Sequence, residues 1–140
     1  MELLRWKTRI AVLWLFTAVV MSAHMVLSVF EPGVIDLITA GEIQLDEPAF
    51  IFSALFAWLI PLAMAYLSLT LQDSANRWAN IILGIVVTAV NISHLLFEQL
   101  AQPSAHMAQP SVHQLLLNAS TVVVTALIAW HAWRWPKNEV

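Results

Sequence analysis

The chain has 140 residues, of which 60% are hydrophobic and 11% charged, with a formal net charge of -3 and no cysteine. Soluble domains carry roughly a quarter charged residues, so this composition, with a mean hydropathy of +0.76, excludes an ordinary water-soluble fold and points to a membrane protein. The missing cysteines exclude disulfides, thiolate metal sites, iron–sulfur clusters and cysteine nucleophiles.

Arg5, Lys7 and Arg9 form a basic cluster around Trp6, and an apolar run over residues 10–30 follows. That run is long enough to cross a bilayer. It continues past Ser22, and Val20 with Ser22 make a poor small-residue pair for signal cleavage, so an uncleaved first span is expected. Residues 31–49 are polar and acidic, with Glu31, Asp36, Glu42, Asp46 and Glu47 and no basic residue. Within this loop, Pro32 and Gly41 bracket Val34, Ile35, Leu37 and Ile38, which predicts a short interfacial helix with proline in its first turn and glycine ending it. Ile43 and Leu45 alternate with polar neighbours, so the return to the second span is expected to be extended.

The second span covers about residues 50–71 and contains Pro61, which predicts a kink whose freed carbonyl is satisfied by neighbours. A polar turn over residues 72–76 leads to the third span, residues 78–98. A loop with Pro103, His106, Met107 and Pro110 precedes the fourth, residues 113–133. The expected fold is all-α, a polytopic antiparallel bundle of four transmembrane helices in a single membrane domain.

Under this topology Arg5, Lys7, Arg9, Arg77, Arg134 and Lys137 all fall on one side. The positive-inside rule makes both termini cytoplasmic and the acidic loop extracytoplasmic. Trp6, Trp78, Trp130, Trp133 and Trp135 gather on the basic side as an interfacial belt. Asn91-Ile-Ser and Asn118-Ala-Ser lie inside spans and so are not surface glycosylation acceptors.

Four blocks, FEPGVIDLITAGEIQ after the first span, PLAMAYLS in the second, ANRWANIILGI opening the third and AWRWP at the end, together reach over nearly the whole chain. On these blocks the chain resembles a family of small bacterial four-helix integral membrane proteins catalogued as a domain of unknown function. The resemblance implies the same topology and a location in the bacterial plasma (inner) membrane. It implies no activity, cofactor or catalytic residue.

The third span carries the main polar feature, with Asn91, His94 and Glu98 sharing one helical face toward one end. Polar groups in a span face protein, water or a ligand rather than hydrocarbon. Thr17, Met21, His24 and Ser28 share a face of the first span, and Gln114, Asn118, Thr121 and Thr125 share one of the fourth. The second span offers Ser53, Ala57, Met64 and Ser68. Counting helical rise from each midpoint puts His24, Asn91, His94 and Asn118 about 4 to 9 Å above the bilayer centre, with Glu98, His113 and Gln114 higher. The predicted site is therefore a polar outer-half pocket of His24, Asn91, His94, Glu98, Gln114 and Asn118 that takes a small amphiphile or lipid. Membrane lipids are the expected partners, nucleic acid is not, and no cofactor is assigned.

Other readings of the same residues stay open. In an enzyme, His94 and Glu98 would be an acid/base pair oriented by Asn91 and Asn118. In a metal site, His24, His94 and Glu98, with His113 or His106, would suit zinc, and Met21, Met25 and Met107 would suit copper. In a haem protein, His24 and His94 would be axial ligands. In a structural or partner-binding subunit, the polar groups would be interhelical glue averaging under ~1 kcal/mol each. The acidic loop would then dock the partner and Gly84-x-x-x-Thr88 would pair helices.

Overall fold

The first helix, α1 (Glu2–Val29), starts eight residues before the apolar run. Arg5, Lys7 and Arg9 therefore lie within α1 rather than ahead of it. Lysine and arginine are good helix formers, and their long stems can carry the charge out to water. The computed structural model describes residues 2–42, 47–96 and 111–136, apart from the side chain of Ala49. Glu98, His106, Met107, Lys137 and the extended segment expected at Ile43 and Leu45 lie outside the described residues.

After α1 come α2 (Val34–Thr39), α3 (Glu47–Ala54), a π-helical turn (Leu55–Leu59), α4 (Ile60–Thr70), α5 (Asp73–His94) and α6 (Val112–Trp133). Among the described residues, α1, Phe50–Thr70, α5 and α6 are each long and apolar enough to cross a membrane. The chain is an all-α, multi-pass membrane protein built as a four-helix bundle.

The loop helix α2 begins after Gly33 (φ 85), so Pro32 precedes it instead of occupying its first turn. It ends at Gly41 (φ 72), whose amide donates to Ile38 O while Glu42 N donates to Leu37 O. This paired C-terminal closure requires a left-handed residue, which glycine adopts without a Cβ penalty. Val34 is buried, whereas Ile35 and Ile38 point outward.

The wide turn Leu55–Leu59 lies immediately before Pro61. Proline has no N–H for the carbonyl one turn back, and its ring crowds that carbonyl. The chain answers with an i→i+5 turn in which Ile60 N–H reaches back to Leu55 O, the usual form of a π-bulge. The expected kink is thus taken up within the helix's own backbone.

Around the bundle, α1 packs between α4 and α6, and α5 packs along α6. These neighbours run antiparallel, as the contacts of Lys7 with Leu71, Ser22 with Trp58, Trp6 with His131 and Thr88 with Thr125 require. The fourth seam differs. Chain neighbours α4 and α5 pack only weakly, and no appreciable packing joins α5 to residues 47–59.

Apolar burial does not drive helices together in lipid, so close approach and polar contacts must. At Gly84 a Cβ would lie 3.0 Å from Ala129 N and 3.1 Å from Ala129 Cβ. One turn on, Thr88 Oγ1 donates to Thr125 Oγ1 at 2.9 Å. The Gly84-x-x-x-Thr88 pair is therefore spent on α5–α6 packing inside one chain. Ile10, Trp14, Met64, Ile81, Val87 and Ile128 form the buried core, and aliphatic side chains such as Val19, Leu62, Ile82 and Val123 face outward.

One end is tied by charge and indole groups. Lys7 Nζ lies 2.8 Å from Asp73 Oδ1 and donates to Leu71 O at 3.0 Å, closing the α4 C-terminus. Trp6 Nε1 donates to His131 O at 3.0 Å, and Arg134 stacks over Trp130 at 4.3 Å.

Candidate functional site

Two buried polar layers lie along the bundle axis, and they differ in whether their hydrogen bonds are met. The layer nearer the basic end is built on Asn80. Its Oδ1 accepts from Trp14 Nε1 at 2.6 Å and from Ser68 Oγ at 3.2 Å. Its Nδ2 donates to Asn76 O at 2.9 Å and Asn76 Oδ1 at 2.6 Å. Asn76 Nδ2 then donates to Ser68 O at 2.6 Å. All four residues are fully buried, and the network joins α1, α4 and α5. A polar group kept out of water must find such partners.

The sequence reading missed this layer because it assigned Asn76 to a turn. Asn76 lies instead in the first turn of α5. The available signal was the spacing Asn76, Asn80, Gly84, which recurs every four residues on the face that leads to Asn91.

The layer near the other end is the predicted site. The rings of His24 on α1 and His94 on α5 meet edge to face, with centroids 5.6 Å apart, a favourable aromatic geometry. This contact joins the two diagonal helices. From α6, Gln114 Nε2 donates to His24 O at 3.4 Å. A carbonyl can only accept, so this bond orients the Gln114 amide and turns its Oε1 elsewhere. The register set by Gly84 against Ala129 and Thr88 against Thr125 brings Asn91 and Asn118 within about one helical turn of the same level.

Asn91, Gln114 and Asn118 are 7%, 5% and 2% exposed. Among the described residues, Asn91 Nδ2, Gln114 Oε1 and Asn118 Nδ2 have no hydrogen-bond partner. A buried, unmet amide atom costs about 1–3 kcal/mol. Three on adjacent faces mark a place where the bundle's own groups do not complete the chemistry. Below them Thr121 and Thr125 are satisfied by the carbonyls of Asn118 and Thr121.

Of the predicted site residues, His24, His94 and Gln114 are joined by these contacts, Asn91 and Asn118 are buried in the same half of the bundle, and Glu98 lies outside the described residues. His113 is elsewhere. Its Nε2 stands 3.0 Å from Glu31 Oε1, and Ser111 Oγ donates to the same oxygen, so this trio ties the ends of α1 and α6 above the site. Among the described residues no three His, Asp or Glu side chains gather as a metal set. Among the described residues the metal reading keeps its His24–His94 pair, its Glu98 and His106 lying outside them, and the haem reading keeps the same two rings. Trp58 on the π turn donates to Ser22 Oγ at 2.8 Å and fastens the second span to α1 on this half.

Among the described residues the arrangement offers hydrogen bonding with no lysine, arginine, aspartate or glutamate beside it. Arg5, Lys7, Arg9, Arg77 and Arg134, the described basic residues, belong to the first turns of α1, the start of α5 and the end of α6. All lie at the opposite end from His24 and His94. The seam between α5 and residues 47–59, across which the described residues make no appreciable packing, lies on the site's half of the bundle, since α4 and α5 are bonded to each other through Ser68, Asn76 and Asn80 near their connecting turn. Compared with known proteins, the chain matches no family model, no curated protein and no solved structure.

Proposed function

We propose that the protein is an integral membrane protein that binds the polar head of a small amphiphile or lipid in the layer of His24, Asn91, His94, Gln114 and Asn118. The observation that carries the reading is the set of three buried amide atoms without partners, in a bundle that elsewhere satisfies its buried amides. A ligand head would supply the missing partners, and its tail would leave along the seam between α5 and residues 47–59. The test is native mass spectrometry of the protein released from mild detergent. The wild type is expected to retain a lipid or amphiphile adduct at one-to-one ratio, and an Asn91→Leu, Asn118→Leu double variant to lose it. Equal adducts on both proteins would sink the proposal.

The same reading places the chain in the bacterial plasma membrane with both termini cytoplasmic. Support comes from the basic and tryptophan-rich end described above, by the positive-inside rule. The cysteine-free sequence makes the topology measurable with single cysteines. Ser74→Cys is expected to react with an impermeant maleimide only after cells are opened, and Asp36→Cys in intact cells. The reverse pattern would invert the orientation and put the site in the inner leaflet.

A further inference from the structure

We infer that the basic end of the bundle carries a second site, in which Arg77 and Arg134 together hold the phosphate of an anionic phospholipid head. This goes beyond the proposed reading, because the site lies at the opposite end from His24 and His94 and uses none of the residues of that layer.

The antiparallel seam of α5 and α6 brings the two arginines together. Arg77 Nη2 donates to Trp133 O at 3.4 Å, and the residue that follows this carbonyl is Arg134. Peptide geometry then puts Arg77 Nη2 no more than about 6 Å from Arg134 Cα. Arg134 caps the C-terminus of α6, is exposed and rests over the Trp130 ring. Its guanidinium is carried on a long arm from a nearby backbone, so both cations can reach one phosphate.

Their charge is not met within the described residues. Neither arginine makes an ion pair there, and Asp73, one turn before Arg77, is held by Lys7 at 2.8 Å. Arg77 is only partly exposed, and its Nε is buried with no hydrogen-bond partner. Unlike a side-chain amide, this N–H is a donor in any assignment. A charged donor kept from water without an acceptor is costly, and two like charges on adjoining helix ends repel. One phosphate answers both, because its oxygens match the guanidinium fork.

The surroundings select a lipid over a free ion. Trp78, Trp130 and Trp133 are exposed beside the arginines, and indoles settle at the level of the headgroups. Farther along the same helices Ile85 and Val123 are exposed, so acyl chains meet an apolar surface on the membrane side of the phosphate.

The experiment titrates the detergent-purified full chain with dioleoyl phosphatidylglycerol or dioleoyl phosphatidylcholine, reading adducts by native mass spectrometry. Phosphatidylglycerol is expected to bind at least about tenfold tighter. Arg77→Gln and Arg134→Gln are each expected to cut that preference about fivefold, and Arg134→Lys to keep most of it. Arg9→Gln, which removes another arginine at this end but on the helix diagonal to α5, is expected to leave it in place. Arg134 is exposed, so its variants keep the test readable even where an Arg77 variant folds poorly. Equal binding of the two lipids, or an Arg9→Gln loss as large as that of Arg134→Gln, would overturn the site in favour of general surface charge. Inorganic phosphate that displaces phosphatidylglycerol at equal concentration would overturn the lipid as its occupant. So would a severalfold gain of preference in Glu139→Gln, which would mean that the chain's own carboxylate fills the place.

Discussion

Replacing Asn80 with leucine is expected to destabilise the bundle by about 2–4 kcal/mol. The substitution keeps the volume close but removes an amide that accepts from Trp14 and Ser68 and donates twice to Asn76. Trp14 Nε1 and Asn76 Oδ1 would then be buried without partners. Single interhelical hydrogen bonds in membranes contribute about 0.6 kcal/mol on average, so the effect depends on four bonds failing together. Asn118→Leu is the control. Asn118 is as buried, but its Nδ2 is already unmet, and replacing an unsatisfied polar group with an apolar one of similar shape is nearly neutral or stabilising. Unfolding in mixed micelles, followed by tryptophan fluorescence, checks the pair in the absence of added lipid. Equal stabilities for the two variants would mean that the two layers do not differ as described.

Gly84→Val is the second large effect, with an expected loss of about 2–3 kcal/mol from overpacking. The new Cβ would lie 3.0 Å from Ala129 N and 3.2 Å from Ala129 Cα. These are backbone atoms, which cannot swing aside as the end of a side chain can. Relief must come from moving α5 off α6, which also stretches the Thr88–Thr125 bond. Gly84→Ala is expected to fall between wild type and valine, and Ala129→Gly to restore part of the loss by removing the Ala129 Cβ contact. The measurement is thermal unfolding in detergent across the series. A Gly84→Val protein that unfolds with the wild type would show that the two helices can separate here at no cost.

The layer around His24 and His94 and the network on Asn80 illustrate different limits of sequence reading. His24, Asn91, His94 and Asn118 could be grouped from sequence because each is polar inside an apolar span and each lies at a similar distance from its span's midpoint, with Gln114 expected above them. Depth in a bilayer is nearly a linear function of residue number, so residues on different helices can be matched by level without knowing how the helices pack. Asn80 has the same signature, yet its partner Asn76 lay in what reads as a polar turn. Helix ends are set by local competition among backbone and side-chain bonds, which composition resolves poorly. The π turn before Pro61 was legible only as a kink, because whether a proline bends, breaks or widens a helix depends on what the adjoining turn can accept.

By itself the sequence determined the membrane class, the four spans, the short loop helix ending at Gly41 and the level of the polar groups. Each follows from hydrophobic run length, glycine chemistry or helical rise, which act within a single segment. Only the tertiary structure decided that Gly84 and Thr88 face α6, that α5 and residues 47–59 make no appreciable packing among the described residues, and that His113 pairs with Glu31 rather than with His24 or His94. It also decided which buried amides are satisfied. Those outcomes depend on the rotation of each helix about its axis and on the register between helices. In lipid these are fixed by close contacts of small and polar side chains, and such contacts exist only between segments far apart in the chain.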